Sequence, residues 1–490
     1  LTSDESTLLA INSHQPWNGD LAWYEAHIYS DEGLNISGGL FPGSPIILVG
    51  YNEHLGWGHT VNSPDILDIY ELTINPEDEN QYFFDGEWLD LEEYDVNIAI
   101  KGVGKLGISH SEPAFWSIHG PVIKGEHATY AIRYSWENNI KIIEQWYRMN
   151  KATSFEEFNN AMSLMALPMF NTGYADKEGN IFYLYNAKLP IRDSAYNWQG
   201  VVPGNTSSTL WKDFAKYQDL PQTFNPSSGY IQNCNNAPYY TLNKDLKENA
   251  TLYSGFETHN TNRSIRSEEF FSTANSITYE DFKTIKFDLK YSNNSTIAQI
   301  INRAITLTQN EKNPKIKKAV KILDNWDLST DVNNSSAALP IISFGKFIDT
   351  PIENITDQMI LDNLNTGIDF LYKYHQGMDI PWGNINKLIR GDVILPLSGG
   401  PDILRAIYGI KTEDGLLKGV AGDAYMALVQ WDKNGTIKSE TIHQFGSATI
   451  DEKSEHYSDQ AYLFSEGKLK QTSLDINRII KNAKSIQIIY

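Results

Sequence analysis

The chain has 490 residues, a formal net charge of -21 and 41% hydrophobic residues, with 12 Trp, 27 Tyr and 20 Phe. That is enough apolar surface for a large core and a pocket besides, whereas so acidic a balance lacks the basic stripe that phosphate contacts need and excludes nucleic acid as a partner. The single cysteine, Cys234, excludes an internal disulfide, and no run of about twenty apolar residues offers a membrane span.

In chain order, short apolar runs at Leu8 to Ile11, Pro45 to Val49 and Ile66 to Leu72, set apart by Gly, Pro and Asn, predict strands with tight connections. Between Ile140 and Met165 the pattern changes. Ser154 with Glu157 three residues on forms a capping-box signature, and Phe155, Phe158, Met162 and Met165 recur at helical spacing. Asp176 to Asn180 reads as a turn feeding a strand over Ile181 to Tyr185. From Thr296 to Asp327, Ile297, Ile300, Ile301, Ala304 and Ile305, then Ile316, Ala319, Val320 and Leu323, predict two helices parted near Asn313-Pro314. Strand-like alternation returns at Ala424 to Trp431. No linker or charge block divides the chain, so the expectation is one α+β body, with an approximate core at 1–240 and 415–490 and a mostly helical insertion over 241–414.

Three segments carry most of the chemistry: Asn12-Ser13-His14-Gln15-Pro16-Trp17-Asn18-Gly19, Gly56-Trp57-Gly58-His59-Thr60-Val61, and Gly229-Tyr230-Ile231-Gln232-Asn233-Cys234-Asn235-Asn236. With His119-Gly120-Pro121, Gly391 to Leu397 and His456 to Gln460, in that order, the chain resembles the penicillin acylase family of N-terminal-nucleophile amidohydrolases. The resemblance implies an αββα sandwich and cleavage of an N-acyl amide by a terminal Ser. That Ser uses its own α-amine as base, since an α-amine of pKa about 7.7–8.0 is partly neutral near pH 7. By the family's spacing the Ser is expected several residues before Leu1. The partner is then a small chain from the same precursor, and the location periplasmic or secreted.

The same resemblance gives Val61 (backbone N–H) and Asn235 (side-chain amide) the oxyanion hole, His14 the orientation of the terminal residue, and Arg263 the placement of Asn235. Gln15, Phe41, Ser44, Trp146 and Met169 map to the acyl pocket. Asp65, Leu67 and Asp68, with Pro190, map to a structural calcium site whose last carboxylate position falls on Leu246, beside Asp245. Each has a plain alternative: Asn235 as a turn residue, His14 as a structural histidine, Arg263 in a surface ion pair, Phe41, Trp146 and Met169 as core, Asp65 and Asp68 as turn and edge acids. Around His14 the likeness is closer to acyl-homoserine-lactone acylases than to penicillin G acylases, which makes an N-acyl-homoserine lactone the leading substrate. A penicillin- or cephalosporin-type β-lactam acylase is the runner-up. An extracellular carbohydrate-binding or glycosidase domain is the rival from another class. Ser398-Gly399-Gly400-Pro401 lacks the spacing of a phosphate loop, and no His/Cys group has zinc spacing.

Overall fold

Two antiparallel sheets approach closely because one strand of the larger presents glycines to the other. In the strand Leu55–Thr60, a Cβ on Gly56 would stand 2.8 Å from Leu9 Cδ2 and one on Gly58 would stand 3.6 Å from Ile11. The opposing strand Thr7–Ile11 can therefore press Leu9 and Ile11 directly onto backbone. The computed structural model describes residues 2–101, 107–137, 139–241 and 256–489, so Asp245 and Leu246 lie outside the described residues.

Leu55–Thr60 belongs to a seven-stranded sheet with spatial order Gln222–Phe224, Ile181–Tyr185, Asn171–Asp176, Leu55–Thr60, Val49–Tyr51, Leu34–Leu40, Tyr24–Ser30. Thr7–Ile11 stands at the edge of a four-stranded sheet, followed by Met426–Trp431, Ile437–Ile442 and Lys470–Gln471. On the outer face of the larger sheet lie the helices Ile142–Lys151 and Phe155–Met162. Phe158 meets Trp57 with ring centroids 5.8 Å apart, and Phe155 meets Phe182 at 5.1 Å. The helix Tyr279–Lys286 covers the other sheet, Tyr279 donating its hydroxyl to Glu440 at 2.8 Å. The four layers are helix, sheet, sheet, helix.

Several local expectations shift. The predicted helix over Ile140 to Met165 is two helices, interrupted where Ala152 turns extended, and it stops at Met162 because Met165 takes a left-handed backbone with φ 47°. Ser154 accepts from Glu157 N, but the Glu157 carboxylate reaches one residue further back than a capping box requires, to Thr153 N and Oγ1 at 2.8 and 2.9 Å. Of Pro45 to Val49 only Val49 enters a strand. The Ile47 backbone pairs with the Asn150 side-chain amide instead, which satisfies buried polar groups without a ladder. Met426–Trp431 is buried at every residue but Gln430, since strands flank it on both sides and both of its faces are covered.

The helices Thr296–Thr308, Pro314–Asn325, Ala338–Phe344 and Asp357–His375 pack around a second core that includes Ile300, Leu323, Phe344 and Leu364. Their break is chemical: Asn313 caps Lys315 N at 2.9 Å, and Pro314 occupies the first helical turn, where a missing N–H costs nothing. Beyond this lobe the chain returns to strands at Asn386–Arg390, Val393–Pro396 and Ile407–Lys411. They form a sheet with Leu417–Gly422 and Gln15–Pro16, which anchors the segment beside His14. A separate six-stranded sheet, containing Leu67–Leu72 and Thr129–Tyr134, has its own small core around Tyr70 and Ala131.

Candidate active site

A cavity of about 650 Å³ opens between the layers, and His14, Val61, Asn235 and Arg263 all line it. Asn235 has φ 66°, a left-handed conformation that Asn tolerates better than most residues. Its backbone N–H is held by Asn233 Oδ1 at 3.1 Å, and Asn233 in turn accepts a hydrogen bond from the Thr60 hydroxyl. The loop is thereby tied to the strand that ends just before Val61. Arg263, in the first turn of the helix Asn262–Phe271, donates Nη1 to Asn235 Oδ1 at 3.0 Å. Because guanidinium is donor-only, it fixes the amide orientation: Oδ1 faces Arg263, while Nδ2 donates to the Val61 carbonyl at 2.8 Å and keeps a second N–H. The outcome is an amide donor beside the Val61 backbone, the arrangement an oxyanion hole requires.

Arg263 is held in turn. Its Nε donates to Asp402 Oδ1 at 2.9 Å, and Asp402 also accepts from Asn262 N at 2.8 Å. His14 sits between two ions. Its Nδ1 lies 3.4 Å from Arg263 Nη1 and its Nε2 lies 3.3 Å from Asp423 Oδ1. Burial pushes the His14 ring down to about 4 against the opposing pull of the Asp423 hydrogen bond, with Arg263 adding to the fall. The ring is therefore neutral near pH 7; its Nδ1 faces the donor-only guanidinium, and its Nε2 faces both the Asp423 carboxylate and the Asn12 amide nitrogen at 3.1 Å. Burial raises Asp423, but Lys286, the His14 hydrogen bond and Arg405 outweigh it and hold the carboxyl well below the usual carboxylate range. Lys286 Nζ and Arg405 Nη1 each stand 3.0 Å from Asp423 Oδ2.

Of the acyl-pocket candidates, Gln15, Phe41 and Trp146 line the cavity, joined by Trp23, His59 and Phe170. Ser44 and Met169 do not. Ser44 closes a turn by donating to Ile46 O at 3.0 Å, and Met169 packs into the core while its carbonyl accepts from Asn186 at 3.1 Å. Phe170 has φ 102°, uncommon for an aromatic residue, and its N–H is held by the buried Asn62 at 2.7 Å. Cys234 also lines the cavity, yet burial pushes its thiol up, so it stays protonated and a poor nucleophile. Glu5 is the single carboxylate among the described residues that line the cavity, whereas a glycosidase needs two facing each other.

The penicillin amidase family profile matches residues 1–481. The chain belongs to that family. It is 22% identical over 531 residues to the acyl-homoserine lactone acylase PvdQ of Pseudomonas syringae pv. syringae, covering 95% of this chain and 66% of that protein. It is 28% identical over 210 residues to penicillin G acylase of Escherichia coli, covering 42% of this chain and 24% of that one. The chain thus spans about two thirds of the length of the lactone acylases it matches. The structure of a thermostable penicillin G acylase from Alcaligenes faecalis superposes with a TM-score of 0.73 at 18% identity, covering 100% of this chain and 97% of that one. That likeness fixes the fold as the αββα sandwich of the family.

The segment matched to calcium is organised by an arginine. Arg192 Nε donates to Asp68 Oδ2 at 2.8 Å, and its Nη2 donates to both the Asp65 carbonyl and carboxylate at 3.0 Å. Trp211 Nε1 adds a donor to Asp68 Oδ2 at 2.7 Å. Asp68 Oδ1 is buried without a partner. Leu67 begins a strand of the six-stranded sheet, and Pro190 pairs with Phe214 two residues before Arg192. A calcium ion takes six to eight oxygens. Among the described residues no group of three or more His, Cys, Asp or Glu side chains is placed to hold a metal, and the two carboxylates already share a guanidinium. These residues therefore do not by themselves make a calcium shell. Arg192, like Asp402 and Asp423, escapes the sequence reading, because an isolated charge shows its role only through a partner distant in the chain. No helix among the described residues is long and apolar enough to cross a membrane.

Proposed function

We propose that this protein is the large-chain part of an N-acyl amide hydrolase, in which a terminal Ser upstream of Leu1 attacks the amide carbonyl. The Val61 N–H and the Asn235 amide receive the developing oxyanion, and the products are a carboxylic acid and an amine. The observation that carries this reading is the convergence of Val61, Asn235, Arg263 and His14 on one cavity whose wall includes Trp23, Phe41 and Trp146. Asn235 is pre-aimed by Arg263, so the donor needs no reorganisation as charge develops. One such donor is worth about 2.7–4 kcal/mol in the transition state. His14, neutral and clamped between Arg263 and Asp423, orients the terminal residue; neither it nor any other lining group supplies an activated attacking oxygen. Thr7–Ile11 runs along the cavity and, among the described residues, is an edge strand of its sheet.

The leading substrate class is an N-acyl-homoserine lactone, in keeping with the apolar cavity and with the names of the lactone acylases it resembles. An aromatic acyl group of the β-lactam acylase kind is the second reading, favoured by the likeness to penicillin G acylases. The small chain of the same precursor is the proposed partner, and the periplasm or the exterior the proposed location. The test is the complete precursor, allowed to mature, assayed on N-decanoyl-homoserine lactone and on a phenylacetyl amide. Turnover of the lactone above the phenylacetyl amide, abolished by changing the terminal Ser to Ala, is expected. Reversed preference selects the second reading. Robust hydrolysis by residues 1–490 purified alone would refute the upstream nucleophile.

A further inference from the structure

The six-stranded sheet buries one face and bares the other. Tyr70, Leu72 and Ala131 point into its small core, with Val122 packed against them, and the residues between point the opposite way. The register carries this second face across five strands: Leu67 and Ile69 stand beside Tyr134 and Ile132, Tyr130 beside Ile123, and Pro121 beside Trp116. Trp116 belongs to the strand Gly107–Ser117, whose partner Glu92–Lys101 adds Tyr94, Val96, Ile98 and Ile100 to the same face. Ile69 is 37% exposed, Ile98 48% and Ile123 55%. The alternate residues of Glu92–Lys101 are Glu93, Asp95, Asn97, Ala99 and Lys101, so this strand has the one-sided pattern of a strand with its apolar face covered, yet that face is open. Monomeric proteins rarely expose a contiguous apolar patch beyond a few hundred Å². Five strands about 4.8 Å apart make the face roughly 20 Å across and ten residues of strand run about 33 Å, the scale of the roughly 800 Å² that each partner buries in a stable interface.

We propose that this sheet face is the docking surface for the small chain of the same precursor, which meets it with apolar side chains fringed by Lys and Arg. The inference rests on the reading of this chain as the large-chain part of a processed amide hydrolase. Two observations select that occupant. The first is length: the matched part is 66% of each lactone acylase, and the remaining third is ample chain to cover a sheet face. The second is charge. Among the described residues of the face, Glu71, Glu92 and Glu112 are acidic, His110 pairs with Glu112, and no Lys or Arg projects from it. A second copy docked about a two-fold axis would set the same patch against itself, acidic fringe on acidic fringe, and would join two bodies of net charge -21. Like charges so juxtaposed oppose association. The same fringe disfavours an anionic membrane surface. A separate chain avoids the self-pairing, and basic residues at its margin gain from Glu71 and Glu92.

The test uses the complete precursor, allowed to mature, with Ile98→Cys and Asn97→Cys as separate variants, neighbours on opposite faces of one exposed strand. Maleimide labelling is followed by mass spectrometry, the wild type serving as the blank for Cys234. In a third variant a benzophenone amino acid replaces Ile123, and light joins it to whatever lies on the face. The expected result is labelling at Ile98→Cys about tenfold or more slower than at Asn97→Cys, because access governs thiol reactivity, together with a photo-adduct between the large and small chains. Equal labelling rates overturn the docking surface. An adduct to a second large chain, or none to the small chain, overturns the occupant. A precursor that stays uncut, or turns over neither the lactone nor the phenylacetyl amide, overturns the hydrolase reading instead. In the uncut chain the adduct is mapped within one polypeptide: a link to residues preceding Leu1 sustains the surface, and any other result overturns it.

Discussion

The cleft and the helical lobe are held together by opposite means. Around Asn235 the buried groups are ions: Arg263 on Asp402, and Lys286 and Arg405 on Asp423. In the lobe the buried groups are Ile300, Ala304, Leu323, Phe344, Leu364 and Leu371, a set of aliphatic and aromatic side chains with no comparable charge. Apolar packing is non-directional, and a lobe built that way loses stability in small steps when trimmed. A buried ion pair adds little net stability, yet each member fixes the other in direction and distance, and removing one leaves its partner uncompensated. The difference separates a scaffold from an instrument: the lobe needs volume, whereas the cleft needs an amide aimed at one point.

Acid should separate the two regions most strongly. His14, His59 and His119 are each pushed down to about 4, mainly by burial, and burial lowers His443 as well; all four lie outside the lobe. The unfolded chain protonates His14, His59 and His119 near 6.5 while the folded chain refuses those three protons until about 4. Stability is thus full above pH 6.5 and falls as pH drops toward 4, by roughly 3 kcal/mol for each of these three groups in that window. Urea unfolding at pH 8, 6 and 4.5 measures the loss, and a flat profile would mean that these rings are not buried and neutral.

Arg263→Ala comes next, at about 3–5 kcal/mol, because the buried Asp402 carboxylate loses its counter-ion and keeps only the Asn262 N–H. The double variant Arg263→Met with Asp402→Leu should recover much of that stability but not turnover, since Asn235 loses the donor that aims it. Recovery of both would show that the ion pair positions nothing. In the matured enzyme, Asn235→Ala should lower turnover at least about a hundredfold while the urea midpoint moves little; near-normal turnover removes Asn235 from the oxyanion hole. The smallest effect belongs to the lobe: Ile300→Val should cost about 0.5–1.5 kcal/mol and leave turnover per folded molecule as it was. A drop in turnover there would tie the lobe to the cleft and dissolve the contrast.

How much of this could be read from the sequence follows the same division. The helices at Thr296–Thr308 and Pro314–Asn325 were legible because apolar periodicity is a local signal, and Asn313-Pro314 marked their break. The segment around Ile47 was not: the apolar run Pro45 to Val49 reads as a strand, yet only Val49 enters one, since the Ile47 backbone is satisfied by Asn150, a partner that no window around residue 47 contains. His14, Val61, Asn235 and Arg263 could be named only from ordered motifs, and the structure brings all four to one cavity. Their charged supports Asp402 and Asp423 carry no local mark. Ser44 and Met169 stand near the pocket in sequence register but face a turn and the core, because the wall there is made by Phe170, whose φ of 102° no pattern of residue types announces.

The left-handed backbone of Asn235 narrows what this position can ever become. Conformation alone admits Gly, Asn and Asp with least strain. The oxyanion role proposed for it would remove Gly, which has no side-chain donor, and Asp, whose charge would repel the oxyanion. Gln keeps the amide but adds a methylene and prefers another backbone. One residue type survives both filters, so a directed-evolution campaign on this enzyme would find the position closed. Libraries aimed at new acyl groups are better spent on Phe41, Trp146 and Phe170, where shape rather than a single atom's direction is at stake.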